Sequence, residues 1–298
     1  MTKLLKGDPF VNRIRITGTL TTRSPLHIGT GEVRYVEDPR EPHEQREVST
    51  IVRDHRGKPL IPGSSLRGVM RHWLFHILRG IRPEWGAMPD RSDLLAEPQS
   101  RQIEAIRREF SWLELLFGAT MNAGKIEVWD AVCLTDHLEG PEDNLVGWDP
   151  ARLTYMDTSV AIDPETGTAM DKLLYKADVA PPGVRFRLTI TGQNLADEEL
   201  GLVLLALKGF NSQIYPIRVG ARGARGYGLM RFEMGDVYYL DRESATSWLE
   251  GMLQGLDAPH ENEAGYFALP RLDDAAQADL IQRAKAALLT HQEARSHV

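Results

Sequence analysis

The sequence predicts an α+β fold with a ferredoxin-like core. Segments in which apolar and polar residues alternate, typical of half-buried strands, and segments with apolar residues every three or four positions, typical of amphipathic helices, succeed one another in the order β-α-β-β-α-β. The 298 residues are 42% hydrophobic and 26% charged. This composition indicates one large globular domain with insertions and excludes disordered and fibrous proteins.

The first half of the chain supplies one strand and one helix of this core. Alternation from Asn12 to Thr21 predicts the first strand, and a glycine-punctuated turn over 24–31 ends it. The charged, proline-containing segment from Glu32 to Glu47 is predicted to be a loop, and residues 49–61 a hairpin around a tight turn. From Ser65 to Gly80 the apolar spacing predicts a helix, with Ser64 or Ser65 as its N-cap.

The second half supplies the remaining core elements. Two helices are predicted, Gln102 to Leu116, closed by Phe117-Gly118, and Glu198 to Lys208. Three strands are predicted, at Ile126 to Leu134, Val184 to Thr191 and Leu229 to Glu233. Residues 156–178 contain a strong turn signal at 163–167 and few core candidates, which predicts a projecting hairpin. Two further helices, Ser244 to Leu256 and Asp273 to Thr290, are predicted to form a C-terminal extension.

Charge is distributed unevenly along the chain. The net charge of −7 and the pI of about 5.8 argue against a uniformly basic protein. Residues 51–82, however, carry seven arginines and lysines against the single acid Asp54, and residues 208–231 carry five cations and no acid. Acidic residues collect at 136–149 and after residue 257. One basic face is therefore predicted on an acidic protein.

Cysteine content and hydropathy indicate the compartment. The single cysteine, Cys133, can form no internal disulfide, which fits a reducing cytoplasm. The longest apolar run, Leu202 to Leu207, is far shorter than the ~20 residues that span a membrane, and we find no signal-peptide pattern. We expect a soluble, cytoplasmic protein with no membrane partner.

Two glycine-rich basic segments contain the groups that proteins use to bind a nucleic-acid backbone. Residues 63–68, Gly-Ser-Ser-Leu-Arg-Gly, combine a helix N-terminus, two hydroxyls and an arginine, and Arg71 follows one turn later. Residues 218–228 combine four glycines, three arginines and the aromatic ring of Tyr227. The alternative for the first segment is an ordinary capped helix with exposed arginines; for the second, a glycine-rich turn explains the glycines but not the arginines. Neither segment matches a P-loop or a dinucleotide fingerprint.

Four blocks in order resemble the RAMP superfamily of CRISPR-associated proteins, especially backbone subunits of type III RNA-guided effector complexes. The blocks are Leu26-His27-Ile28-Gly29-Thr30-Gly31, residues 60–68, Leu116-Phe117-Gly118, and Gly220-x-x-Gly223-x-Arg225-Gly226-Tyr227-Gly228. The resemblance covers residues 12–233. It implies an RRM-like or ferredoxin-like domain over residues 1–240, with insertions at about 32–50 and 156–178, followed by a helical extension over 241–298 that packs on the core or on a neighbouring subunit.

The resemblance also implies partners and site residues. Guide RNA (crRNA), target RNA and other effector subunits, stacked as a filament of like or paralogous copies, are the expected partners, and RNA binding itself needs no cofactor. Residues 156–178 resemble the thumb hairpin that wedges between guide and target. The implied RNA-binding residues are His27, Gly29, Gly63, Ser64, Ser65, Arg67, Arg71, Arg222, Gly223, Arg225, Gly226, Tyr227 and Gly228.

The resemblance leaves RNA cleavage open. Cleaving members of the family use an acid on the first insertion together with Mg²⁺ or another divalent metal, and the matching position here is Val48. The acid is displaced, replaced by the adjacent Glu47, supplied by Asp38, or absent. Besides a guide-binding subunit and a subunit that cleaves target RNA, a third alternative is an endonuclease that processes the guide precursor. Such an enzyme would need a His or Tyr near the glycine-rich loop, where only Tyr215 and Tyr227 qualify.

Overall fold

The computed structural model describes residues 3–38, 41–138, 145–163, 165–255 and 270–293. The strands and helices follow one another as β1 (Asn12–Thr22), β2 (Gly29–Asp38), β3 (Glu41–Ile51), β4 (Leu60–Ile61), α1 (Gly63–Ile81), α2 (Pro83–Gly86), α3 (Gln99–Glu109), α4 (Trp112–Phe117), β5 (Ile126–Val128), β6 (Ala131–Val132), β7 (Tyr155–Ile162), β8 (Ala169–Val179), β9 (Arg185–Gln193), α5 (Asp197–Gly209), β10 (Met230–Asp241), α6 (Arg242–Gly255) and α7 (Asp274–Glu293). Short 3₁₀ turns occupy Ser92–Ala96 and Gly223–Arg225.

The central sheet has the spatial order β10-β1-β9-β5, and every neighbouring pair is antiparallel. Counted along the chain, these are the fourth, first, third and second strands of the sheet. With α1 following the first strand and α5 following the third, this is the ferredoxin-like βαββαβ arrangement. The predicted α+β fold with a ferredoxin-like core is confirmed.

One face of the central sheet forms the hydrophobic core. Along β1 buried and partly exposed residues alternate strictly, so Ile14, Ile16 and Leu20 point inward. Leu66, Met70 and Leu74 of α1, at four-residue spacing, belong to the same cluster and are fully buried. Replacing a leucine at such a position by alanine typically lowers the free energy of unfolding by about 2–5 kcal/mol.

A second sheet, with the order β2-β3-β8-β7, stands outside the core. The hairpin predicted over residues 156–178 is present as β7 and β8, and it joins β3 through a parallel pairing of Val48 with Lys176. The prediction of a loop over Glu32 to Glu47 is wrong, because this segment forms most of the β2-β3 hairpin. Most of β2 is exposed to solvent, so no apolar alternation marks it in the sequence.

The structure corrects three local predictions: the N-cap of α1, the helix over 102–116 and the strand over 126–134. Neither Ser64 nor Ser65 caps α1, whose N-cap position is Pro62 with no side-chain cap. The helix predicted over Gln102 to Leu116 breaks at Ser111, because a capping box of Ser111 and Glu114 starts α4 there. The strand predicted over Ile126 to Leu134 is interrupted at residues 129–130 and divides into β5 and β6.

The C-terminal helix α7 packs on the core of the domain. Leu280 and Ala284 of α7 are buried in the core cluster, and Leu288 lies where a β-carbon on Gly201 of α5 would be. Thus α7 lies directly against α5. Among the residues described, no helix combines the length and the apolar character needed to cross a bilayer.

Candidate nucleic-acid interface

His27 lies in the turn that links β1 to β2 and is buried. Its Nδ1 is 2.8 Å from the backbone carbonyl oxygen of Asp178 in β8. Because a carbonyl oxygen can only accept, Nδ1 carries the proton. Nε2 lies 3.5 Å from Ser49 Oγ and 3.2 Å from the position that a β-carbon on Gly29 would take. The absence of a side chain at Gly29 therefore leaves room for the imidazole edge.

The glycine-rich loop, residues 218–228, packs directly on the His27 turn. Ala221 N–H donates to the His27 carbonyl oxygen at 2.8 Å, and Gly228 N–H donates to Pro25 at 2.9 Å. A β-carbon on Gly220 would lie 2.3 Å from that same His27 oxygen, and Gly220 has φ +81°. Glycine is therefore required here both by the backbone conformation and by the close approach.

The base of the loop is closed by a second close contact. Val219 N–H donates to Gly228 O at 2.9 Å, and a β-carbon on Gly228 would lie 2.0 Å from Val219 O. At the tip, a β-carbon on Gly223 would make only an ordinary contact, 3.6 Å from Arg218 Cδ, and Arg225 is exposed, with no side-chain partner among the described residues. The base glycines thus shape the loop, while its tip stays accessible.

The glycine-rich loop contacts the thumb hairpin through Arg222. This residue has left-handed φ of 62°, and its Nη1 lies 3.2 Å from Asp157 Oδ2 in β7. The Tyr227 ring lies 6.0 Å from the same guanidinium. Burial, followed by the hydrogen bond with Asp157, raises the pKa of Tyr227 to about 12. Tyr227 is therefore a neutral ring at neutral pH.

Asp178 holds the base of the thumb through two arginines. Its buried carboxylate accepts from Arg34 Nη2 at 2.8 Å and from Arg53 Nη2 at 3.3 Å. The hydrogen bond to Asp178 raises the pKa of Arg34, whereas burial lowers that of Arg53. One carboxylate therefore joins β8 to β2 and to the turn after β3.

The N-terminus of α1 differs from an open phosphate cradle. Gly63 N–H donates to Asp130 Oδ1 at 2.7 Å, and a β-carbon on Gly63 would lie 2.1 Å from Val128 O. Gly63 is therefore a close-packing glycine whose N–H is already used. Ser64 is exposed and Ser65 partly exposed, and neither side chain has a hydrogen bond among the described residues.

Arg67 and Arg71 line a cleft of about 510 Å³ beside the turn from Gly118 to Gly124. Arg67 has no hydrogen bond or ion pair among the described residues, and Arg71 Nε meets only Met88 Sδ, at 3.2 Å. Glu114 also lines the cleft, but its carboxylate is occupied by Arg91 and by Ser111 N–H. Burial and the nearby charge of Arg71 lower the pKa of Arg67. Within the described part of the chain, therefore, neither arginine of the cleft forms an ion pair.

The acidic candidates lie on the β2-β3 hairpin. Glu47 is exposed and accepts from Tyr35 OH at 3.3 Å, while Val48 is fully buried. Asp38 is the last residue of β2, and its side chain lies outside the described residues. Within the described part of the chain no group of three or more His, Cys, Asp or Glu residues converges as metal ligands.

The predicted residues thus form two groups. His27, Gly29 and the glycine-rich loop meet the thumb at one end of the central sheet, whereas Arg67 and Arg71 line the cleft at the turn containing Gly118. Sequence reasoning missed three anchoring acids, which are Asp130, Asp157 and Asp178. Their partners lie 65 to 144 residues away, so no local pattern indicates them.

Comparison with known proteins identifies the family. A model of the RAMP superfamily matches residues 19–231, more than two thirds of the chain. A search among curated proteins gave no match. The matched region runs from β1 to β10 and includes all four motif blocks. The chain therefore belongs to the RAMP superfamily, a group of CRISPR-associated RNA-binding proteins.

Proposed function

We propose that this protein is a guide-RNA-binding backbone subunit of a type III CRISPR effector complex, acting in antiviral defence by recognising target RNA. The observation that carries the proposal is the cleft of Arg67 and Arg71. Two partly buried guanidinium groups that form no ion pair with an acid of the described residues are electrostatically unfavourable, and a phosphodiester relieves that cost through bidentate hydrogen bonds. The RAMP membership makes RNA the source of that phosphodiester.

The glycine-rich loop and the thumb supply a second contact region in this proposal. Arg225 and the open backbone at Gly223 approach the guide backbone, and the neutral ring of Tyr227 offers a stacking surface. The thumb, anchored through Asp157 and Asp178, projects between guide and target. Neighbouring subunits of the same or a paralogous kind continue the filament along the RNA.

The test compares RNA retention by matched arginine variants. The full chain is coexpressed with its effector subunits and guide array, and guide RNA in the purified complex is quantified at several salt concentrations. We expect Arg67→Gln/Arg71→Gln to reduce the retained RNA and to flatten the salt dependence by about 0.7 per lost phosphate contact. Arg108→Gln, on the 72%-exposed Arg108 of α3, is the control and should change neither. Unchanged RNA content and salt slope in the double variant would contradict the proposal.

Target cleavage is a separable alternative. Guide-loaded complex is incubated with matching RNA and Mg²⁺, using wild type, Glu47→Ala and Asp38→Ala. A binding subunit gives no cuts that depend on either acid. Regularly spaced cuts abolished by one substitution would instead establish a metal-dependent ribonuclease and identify its acid. Cleavage of precursor RNA by the isolated chain would favour the processing alternative.

A further inference from the structure

The central sheet has a second face, opposite the helices, that the proposed guide-binding groups do not use. Strand register places Arg185 opposite Thr21, Arg187 opposite Thr19, and Arg15 opposite both Thr191 and Tyr238. Residues directly opposite each other in antiparallel strands share a face. We call this surface the open sheet face and define it by Arg13, Arg15, Trp129, Arg185, Arg187 and Tyr238.

The open sheet face is basic on an acidic protein. The acids Glu127 and Glu233 on this face are already paired, Glu127 with Lys6 at 2.9 Å and with Arg13 at 3.9 Å, and Glu233 with Arg231 at 2.9 Å. Arg185 and Arg187 are exposed and have no side-chain partner among the described residues. They stand two residues apart on β9, about 6.8 Å along the strand. Successive phosphates of an extended single strand can match this separation.

An aromatic and guanidinium stack lies beside these arginines. The Arg15 guanidinium lies 5.6 Å from the Trp129 ring and 5.6 Å from the Tyr238 ring. Its Nε is buried without a hydrogen-bond partner. Trp129 itself is 50% exposed, although tryptophan side chains are highly buried on average. One ring face is thus available next to a row of cations.

We propose that the open sheet face binds a segment of single-stranded RNA, distinct from the segment held at the Arg67 cleft and the glycine-rich loop. Arg185 and Arg187 contact successive phosphates, and one base stacks on Trp129. An exposed aromatic ring beside unpaired arginines is the combination by which proteins bind single strands without reading their sequence. A protein partner would instead be expected to bury an apolar patch, whereas threonines and arginines dominate this face.

The experiment measures binding of a fluorescent 12-nucleotide oligouridine to the full-length chain by anisotropy across a salt series. The Arg67→Gln/Arg71→Gln background removes the cleft and leaves the glycine-rich loop unchanged, so any further loss of the remaining binding caused by a substitution on the open sheet face reports on that face. Adding Arg185→Gln/Arg187→Gln should weaken that binding about 10-fold and flatten the salt slope by about 1.4, for two lost phosphate contacts. Trp129→Ala should weaken it by about 5-fold or more through lost stacking. Arg108→Gln in the same background is the matched control.

Crosslinking locates the strand independently. Oligouridine carrying 4-thiouridine is photocrosslinked to the wild-type chain, and the modified peptides are identified by mass spectrometry. Crosslinks at Trp129 or Tyr238 support the proposal. Crosslinks confined to other elements, together with an affinity and salt slope unchanged in Arg185→Gln/Arg187→Gln, would overturn it. Both arginines are exposed, so this variant folds even if Trp129→Ala does not. Because the cleft variant is measured separately, failure here leaves the guide-binding proposal intact, and the reverse also holds.

Discussion

His27 Nδ1 donates to the backbone carbonyl oxygen of Asp178 across 2.8 Å, although the two residues are 151 positions apart in the sequence. The same aspartate accepts from Arg34 and Arg53 through its side chain. One residue at the end of β8 therefore holds together the His27 turn, the β2-β3 hairpin and the thumb. The glycine-rich loop rests on the other side of His27 through Ala221.

The Asp178 carboxylate should contribute strongly to stability. Asp178→Ala removes the carboxylate that pairs with Arg34 and Arg53. We therefore expect the free energy of unfolding to fall by about 3 kcal/mol. This figure is at the lower end for a buried pair because the Arg34 side chain is 42% exposed. Urea denaturation followed by circular dichroism measures the change. Asp136→Ala, at an 87%-exposed side chain, is the control and should shift stability by less than about 0.5 kcal/mol. Equal, small losses in both variants would refute the anchoring role.

Two glycines of the same loop should respond differently to alanine. Gly220→Ala places a β-carbon against the His27 carbonyl oxygen at positive φ, so it should lower stability by more than about 1 kcal/mol. Gly223→Ala meets nothing closer than 3.6 Å and should leave stability within about 0.5 kcal/mol. Melting temperatures of the two variants, measured under identical conditions, test this. A Gly223→Ala protein as unstable as Gly220→Ala would contradict the assigned contacts.

The Asp8–Arg107 pair should make stability depend on acid pH. The hydrogen bond from Arg107 lowers the pKa of Asp8 in the folded protein. Because the folded pKa is below the unfolded one, the stabilisation is fully present above the unfolded value of about 3.9 and is lost as pH falls through the folded pKa. At pH 7 the free energy of unfolding of wild type should exceed that of Asp8→Asn by about 0.5–1 kcal/mol. The difference is small because the side chains of Asp8 and Arg107 are both partly exposed.

The measurement is the free energy of unfolding from pH 7 down to pH 2. The difference between wild type and Asp8→Asn should shrink as pH falls below about 4. Asp163→Asn, at a partly exposed turn, is the comparison: backbone N–H groups of Thr166 and Glu165 lower the pKa of Asp163, but its carboxylate has no arginine partner among the described residues. A gap between wild type and Asp8→Asn that stays constant across this range would contradict the assigned pair.

The sequence by itself determined the core topology and the family. Residue alternation in β1 and β9 and helical spacing in α1 and α5 are local consequences of burying one face, so they can be read without knowing any partner. The four glycine-containing blocks are equally local, because tight turns and close backbone approaches demand glycine at particular positions. The sequence also predicted the β7-β8 hairpin, through the turn at 163–167.

Only the tertiary structure decided what those residues contact. It showed that Gly63 packs against Val128 and gives its N–H to Asp130, whereas the sequence suggested a phosphate cradle. It also showed that Arg67 and Arg71 form no ion pair within the described part of the chain, and that the Arg15 guanidinium lies near the rings of both Trp129 and Tyr238. Charges and hydrogen bonds between residues distant in sequence depend on how whole elements pack. Alternation within a strand indicates which of its faces is buried, but it does not indicate which side chain of another element contacts that face.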